Sequence, residues 1–315
     1  MEEFCFGVDV GGTTVKMGLF AGLAEPLHTW EIPTRTEDGG KSILPDIREA
    51  MSREMVERGI APDQVVGAGV GIPGPVTDDG VVNHCVNLGW PVVHVREQLS
   101  NMFYHLPIRV GNDANVAALG EAWFGGGKGY RNMVMLTLGT GLGGGVIMNG
   151  RIVHGSHGAG GEVGHMPIYT EATRVCNCGN TGCLEQIASA TGLVHKAREV
   201  LVHNTFDSVL RGKKNFTAKD VLDAYLAGDP AGKITVECML DFLGRGMAII
   251  ASVVDPDVFV IGGGVSKTGP WLMEALKERF DHYAFFGCRD TLVLPAKLGN
   301  DAGMYGAAAL ALTKE

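Results

Sequence analysis

Apolar positions along this chain fall into short, dense runs, and glycine clusters close many of them. FCFGVDVGGTTVKMGLF, Phe4 to Phe20, sets a Gly-Gly-Thr-Thr turn between two such runs. The second run follows too soon for a helical crossover, so the pattern predicts an antiparallel hairpin. The period then lengthens. From Ser42 to Gly59, Ile43, Leu44, Ile47, Ala50, Met51 and Met55 recur at helical spacing. VVGAGVGIPGPV reads as a buried strand ended by a glycine and proline loop. IRVGNDANVAALGEAWFG reads as a short strand, a polar turn and a helix opening near Asp113. From Asn132, NMVMLTLGTGLGGGVIMNGRI returns to strand, glycine turn and strand. Helices are expected from Gln186 to His203 and from Ala218 to Val254, the second stretch broken at Gly228-Asp229-Pro230. DPDVFVIGGGVS adds a strand and a glycine turn, and GNDAGMYGAAALAL a small-residue C-terminal helix.

Two of the turns echo one another: Val8-Asp9-Val10-Gly11-Gly12-Thr13 and Leu138-Gly139-Thr140-Gly141. A duplicated two-domain fold leaves such an echo, and 315 residues are long for a single core. The formal charge of −9, with no basic run, excludes a general nucleic-acid surface. The longest apolar runs, such as Met247 to Val254 and Val258 to Ile261, are too short to span a bilayer. The opening MEEFCFGVDV has neither a basic n-region nor a long apolar stretch, so no signal peptide is expected. An odd cysteine count, seven, then favours reduced thiols in the cytoplasm. The expected protein is cytoplasmic, with no membrane and no nucleic-acid partner.

A strand, glycine turn and second strand can present successive backbone N–H groups to an anion without side-chain obstruction. Asp9, Gly11, Gly12, Thr13, Thr14 and Lys16 supply one such turn, Gly139, Thr140 and Gly141 a second, and Gly262, Gly263 and Gly264 a third. A single cluster is as well explained by a tight hairpin. Three clusters, each ending a hydrophobic strand, favour nucleotide phosphates. A carboxylate such as Asp9 is tolerable there if Mg²⁺ mediates. Neither a P-loop nor a GxGxxG helix turn is present, so the nucleotide site is of another type.

These stretches, with GIPGPV, NLGW, VGNDANVAALGE, HGAGGEVGHMPI and CNCGNTGCLEQIASATG, resemble the ROK family (repressors, open reading frames and sugar kinases) from residue 6 to residue 266. That family belongs to the actin, hexokinase and Hsp70 ATPase superfamily. The resemblance implies an α/β fold of two actin-like (ribonuclease H-like) domains, with mixed sheets flanked by helices and a cleft between them. The small N-terminal domain is expected over residues 1–120 plus a returning helix at about 303–315, and the larger domain over 121–302. The implied activity is ATP-dependent phosphorylation of glucose at its 6-hydroxyl. Closure on the sugar would exclude water and limit wasteful ATP hydrolysis. By the same resemblance Asp113 is both the catalytic base and a sugar ligand, with Asn112, Glu162, His165, Glu185 and, more weakly, Asn87 as the other sugar ligands. Gly262 to Gly264 become the adenosine-side turn. The residues alone leave Asp113 open as a helix N-cap and Glu162 and Glu185 open as surface carboxylates.

RVCNCGNTGCLEQ places three of the seven cysteines within eight positions. With His165 they form H-x₁₀-C-x-C-x₄-C, so His165, Cys176, Cys178 and Cys183 make an imidazole and three thiolates, the donor set of a closed structural Zn²⁺ site. A disulfide fits poorly in a reducing compartment, and no electropositive setting marks a redox pair. Zinc at Cys183 would position Glu185 two residues on, while the second His165 nitrogen meets a sugar hydroxyl or a supporting acceptor. The cofactors implied are thus ATP, Mg²⁺ and Zn²⁺, the substrate a sugar, and the assembly a homo-oligomer, a dimer or tetramer.

Other readings of the resemblance remain. An N-acetylmannosamine or N-acetylglucosamine kinase keeps the chemistry and changes the sugar. A sugar-responsive repressor needs an upstream helix-turn-helix, for which Asp9 stands too near the start. An Hsp70-like protein-binding ATPase needs a peptide-binding domain that is not recognisable.

Overall fold

A computed structural model describes residues 3–313. Positions 1, 2, 314 and 315, inside the expected domain ranges, lie outside the described residues. Strands β1 (Phe4–Val10), β2 (Thr14–Ala21) and β3 (Pro26–Pro33) form an antiparallel run. Two helices follow, α1 (Glu37–Gly40) and α2 (Ile43–Arg58), then β4 (Val65–Ile72), β5 (Val81–Cys85) and β6 (Trp90–His94). Next come α3 (Val95–Met102), β7 (Ile108–Asn112) and α4 (Asp113–Trp123). The sheet order is β3-β2-β1-β4-β7, with β4 parallel to both β1 and β7.

The chain then repeats the plan with β8 (Met133–Leu138), β9 (Leu142–Met148) and β10 (Arg151–Ile152). Helices α5 (Glu185–Ala188), α6 (Ala190–His203), α7 (Ala218–Leu226) and α8 (Pro230–Val254) precede β11 (Val258–Gly262), α9 (Trp271–Tyr283), β12 (Leu292–Pro295) and α10 (Ala302–Leu312). The second sheet runs β10-β9-β8-β11-β12, with β11 parallel to β8 and β12. Both sheets are mixed, with the antiparallel strands first and the parallel ones after. The echo between the two glycine turns is therefore an echo of topology.

The chain divides into two compact units. One holds the chain up to Gly129, Gly145–Gly161, and the segment from Leu298; the other holds Tyr130–Gly144 and Glu162–Lys297. This differs from the expected boundaries at 120 and 303, and Gly145–Gly161 falls in the first unit rather than the second. In the first unit Phe6, Val8, Met17, Leu19, Ile47, Met51 and Phe103 form a buried core. The opposite face of β1 takes α10, through Cys5, Phe20, Met304 and Ala308. A Cβ on Gly306 would sit 1.7 Å from the Val116 carbonyl oxygen, so α10 and α4 touch backbone to backbone. That contact explains why α10 is built of small residues, and it fixes the helix that opens with Asp113.

In the second unit α8 buries Val236, Met239, Leu240, Leu243 and Met247, and Phe259 of β11 meets Phe280 of α9 edge to face at 5.5 Å. The break expected at Gly228-Asp229-Pro230 is present: Asp229 caps α8 by accepting from the Ala231 and Gly232 N–H groups, with Pro230 in the first turn. The helix expected from Gln186 to His203 is interrupted. Ser189 is extended and its side chain accepts from Gly192 N–H, so a cap starts α6 afresh. Strand β3 was not anticipated; its residues are exposed or half-buried, with prolines at both ends.

Candidate active site

Among the residues singled out in the sequence, the first unit holds Asp9, Gly11, Gly12, Thr13, Thr14, Lys16, Asn87, Asn112 and Asp113. The second holds Gly139, Thr140, Gly141, Glu162, His165, Cys176, Cys178, Cys183, Glu185 and Gly262 to Gly264.

The turn between β1 and β2 closes with Gly11 N–H donating to the Thr14 carbonyl at 3.0 Å. It is braced by Thr34, whose hydroxyl donates to the Gly11 carbonyl at 2.7 Å. Gly12 and Thr13 stay exposed, with N–H groups open to a ligand. A Cβ on Gly12 would lie 4.0 Å from Asn87, so Asn87 sits against this turn and is itself exposed. Lys16 is directed at acids: its Nζ donates to Asp301 Oδ1 at 2.9 Å and the Asn300 carbonyl at 3.1 Å, with Glu31 at 3.8 Å. Asp9 is half-buried at the end of β1. Burial, then the charge of Asp113, push its carboxyl pKa up to about 6 against the pull of Lys16.

Asn112 and Asp113 lie where β7 passes into α4. Asn112, rather than Asp113, is the N-cap: its Oδ1 accepts from the Ala114 and Asn115 N–H groups at 3.1 and 3.2 Å. Its Nδ2 donates to the Gly74 carbonyl at 3.1 Å, so both ends of this carboxamide work on the backbone. Asp113 accepts from Ala114 N–H at 2.8 Å and is otherwise held by its place in the first turn. Burial raises its pKa, opposed by the Ala114 N–H, its own N–H and Asn112. A desolvated carboxylate at a helix start is a stronger base than one in water.

In the second unit, Gly139 N–H donates to the Gly141 carbonyl at 3.0 Å, and Ala190 N–H to the Gly139 carbonyl at 2.9 Å. This turn and the one at Gly264 border a cavity of about 690 Å³, walled by Leu222 and Leu226 of α7. Its size suits a nucleoside. The α7 wall was missed in the sequence. Its signals were Thr217, which caps the helix, and Leu226, an apolar residue left 56% exposed beside the Gly228 break. A second hollow of about 350 Å³ joins Thr140 and Gly141 to Cys176 and Glu185.

Glu185 is the first residue of α5. Its Oε2 accepts from Leu142 N–H at 2.9 Å, and its Oε1 lies 3.8 Å from Cys176 Sγ. A Cβ on Gly141 would fall 2.2 Å from Oε2, so only glycine lets the carboxylate reach the turn. Glu162 is exposed, its Oε2 3.8 Å from His165 Nε2. The other ring nitrogen, Nδ1, lies 3.7 Å from Cys176 Sγ, and Cys178 and Cys183 are 3.5 Å apart at sulfur. His165, Cys176, Cys178 and Cys183 each offer a ligand atom, all within 4.8 Å of one another. Zn–S bonds of about 2.3 Å and Zn–N bonds of about 2.0–2.1 Å put tetrahedral neighbours roughly 3.5–3.8 Å apart. The donor set therefore fits zinc in kind and number, the His165–Cys176 and Cys178–Cys183 pairs already stand at its spacing, and all seven cysteines are free thiols.

The model of the ROK family matches residues 5–314. A glucokinase of Halalkalibacterium halodurans is 42% identical over 97% of this chain and 94% of its own length. Among solved structures, a ROK hexokinase from Thermus thermophilus superposes with a TM-score of 0.82 at 31% identity, covering 98% of this chain and 97% of that one. A ROK family glucokinase from Streptomyces griseus, in complex with glucose and AMPPNP, gives 0.70 at 30% identity, covering 98% of each.

Proposed function

The chain belongs to the ROK family, and on that premise we propose that it is an ATP-dependent glucokinase, transferring the γ-phosphoryl group to the 6-hydroxyl of glucose. The observation that carries the chemistry is Asp113, a desolvated carboxylate held at the start of α4 by the Ala114 N–H. The choice of glucose rests on the full-length likeness to a glucokinase.

Phosphoryl transfer asks for in-line placement and stabilised charge more than for covalent help. In this reading Asp113 accepts the 6-hydroxyl proton as that oxygen attacks, a contribution of roughly 10²–10⁴-fold. The turns at Gly11–Thr14 and Gly139–Gly141 offer backbone N–H groups to the phosphates, and the cavity beside Leu222 and Leu226 takes the adenosine. Asp9 is the residue that would hold Mg²⁺, which supplies charge neutralisation when bound; one or two carboxylates with substrate phosphates is its usual protein environment. Glu162, His165 and Glu185 hold sugar hydroxyls, since each carboxylate accepts from two neighbours. Asn112 acts mainly through the cap that places Asp113, and Asn87 borders the first phosphate turn. His165, Cys176, Cys178 and Cys183 hold Zn²⁺ as a structural ion. Lys16 acts through Asp9, whose anion it favours, rather than on phosphate directly. We place the enzyme in the cytoplasm, as a homo-oligomer.

The test is coupled ADP release with Mg-ATP across glucose, mannose, fructose, N-acetylglucosamine and N-acetylmannosamine. A clear glucose preference is expected. Preference for an N-acetylated sugar would replace the substrate, and no sugar-dependent turnover by zinc-loaded protein would overturn the kinase reading.

A further inference from the structure

We propose that Gln186 is a positioning residue for sugar binding: it holds the loop from Arg174 to Cys183 in its metal-receiving shape and thereby sets Glu185. Its side-chain oxygen accepts from the N–H groups of Gly182 at 2.8 Å and Cys183 at 3.1 Å. Its amide donates to the Arg174 carbonyl at 2.6 Å. These bonds tie the chain just before the first cysteine to the chain at the last one. Gln186 is 8% exposed, and Gly182 and Cys183 are buried, so water is poorly placed to replace the two bonds its oxygen accepts.

The backbone joins the two limbs one step nearer the tip, through the bridge between Val175 and Thr181. Cys176 N–H to the Asn180 carbonyl and Gly179 N–H to the Cys176 carbonyl close the tip that carries Cys178. Tyr169 N–H to the Gly182 carbonyl and Leu184 N–H to the Met166 carbonyl anchor the far limb to Met166–Tyr169. Gln186 clasps both limbs at the base through a single side chain. A carboxamide is the group for this task, since it accepts at one end and donates at the other. A carboxylate would keep the two accepted bonds and turn an acceptor toward the Arg174 carbonyl.

The link to Glu185 is covalent and short. Cys183, Leu184, Glu185 and Gln186 are consecutive, and α5 is only four residues long, too short to hold itself in place. A slack loop base would move Cys183 and the Glu185 carboxylate together.

The experiment measures zinc affinity by chelator competition, and steady-state kinetics, for Gln186→Ala and Gln186→Glu in the full chain. Gln186→Ala is expected to weaken zinc about 10–100-fold, the range for residues supporting metal ligands, and Gln186→Glu less. At limiting zinc the KM for glucose should rise, with kcat and the KM for ATP within about twofold of the parent, and saturating zinc should restore it. If Gln186→Ala fails to unfold cooperatively, Gln186→Glu carries the comparison alone. Zinc affinity unchanged within about twofold would overturn the proposal, as would a glucose KM that stays raised in zinc-saturated protein. The glucose arm rests on the kinase reading and the zinc arm does not. Weakened zinc with no glucose turnover by the parent protein would therefore remove that reading and leave the loop-positioning role.

Discussion

Asp113 and Glu185 are both carboxylates in the first turn of a helix, and they are held there by different physics. Asp113 opens an 11-residue helix with a side-chain cap from Asn112 and a backbone-to-backbone seat on α10. Glu185 opens a four-residue helix behind a loop whose own regular structure amounts to isolated bridges, such as Val175 to Thr181. The first is ordered by periodic structure, which satisfies its own backbone and needs no ligand. The second is ordered by side-chain clasps and by four donors that come together for a metal. In the proposed function the chemistry thus rests on the stiffer scaffold, and sugar recognition on the part that would depend on an ion.

The largest effect that would test this contrast belongs to the stiff side. Asp113→Asn keeps the shape and removes the base, so kcat should fall by about 10²–10⁴-fold, with no loss of thermal stability. A loss below tenfold would mean the proton is taken elsewhere. On the loop side, Cys183→Ser, or removal of zinc by a chelator, should raise the glucose KM by about 10-fold or more, with a smaller change in kcat. Loss of zinc that lowered kcat and left KM unchanged would reverse the comparison.

Smaller effects follow from proton linkage. As the proposed base Asp113 would work as an anion, and burial raises its pKa, so activity should fall as pH is lowered through a value above the ordinary 3.8. An acid limb at or below that value would remove desolvation from the account. Asp9, raised from 3.8 to about 6, runs opposite to a paired carboxylate. The folded state binds its proton more tightly, so stability is lost as pH rises from about 4 to 6, and the cost stays above that window. Asp9→Asn should therefore melt higher than the parent at pH 7 without Mg²⁺, and the gain should vanish near pH 4. An unchanged or lower melting temperature at pH 7 would contradict it.

Much of this was legible in the sequence where one local signal decided the outcome. The hairpin around Gly11–Gly12, the α4 start and the break at Gly228-Asp229-Pro230 depend on neighbours in the chain, and the cysteine spacing named its donors. Other features turn on distant partners. Asn112 took the cap because Asp113 was already spent as the first helical residue, and its amide then found the Gly74 carbonyl. Ser189 outcompeted helix continuation because its hydroxyl could accept from Gly192 N–H. The short Gly145–Gly161 segment joined the first unit through packing of Gly145 on Ala118, which no period could announce. Gln186 carried no motif at all; its role appears only when Arg174 and Cys183 are brought to either side of it.

The most direct test of the division between chemistry and recognition is calorimetric titration of glucose into zinc-loaded Asp113→Asn. The account predicts binding within about tenfold of the parent protein, in a variant whose turnover has collapsed. Glucose binding lost along with turnover would make Asp113 a principal holder of the sugar, and the separation of chemistry from recognition would fail.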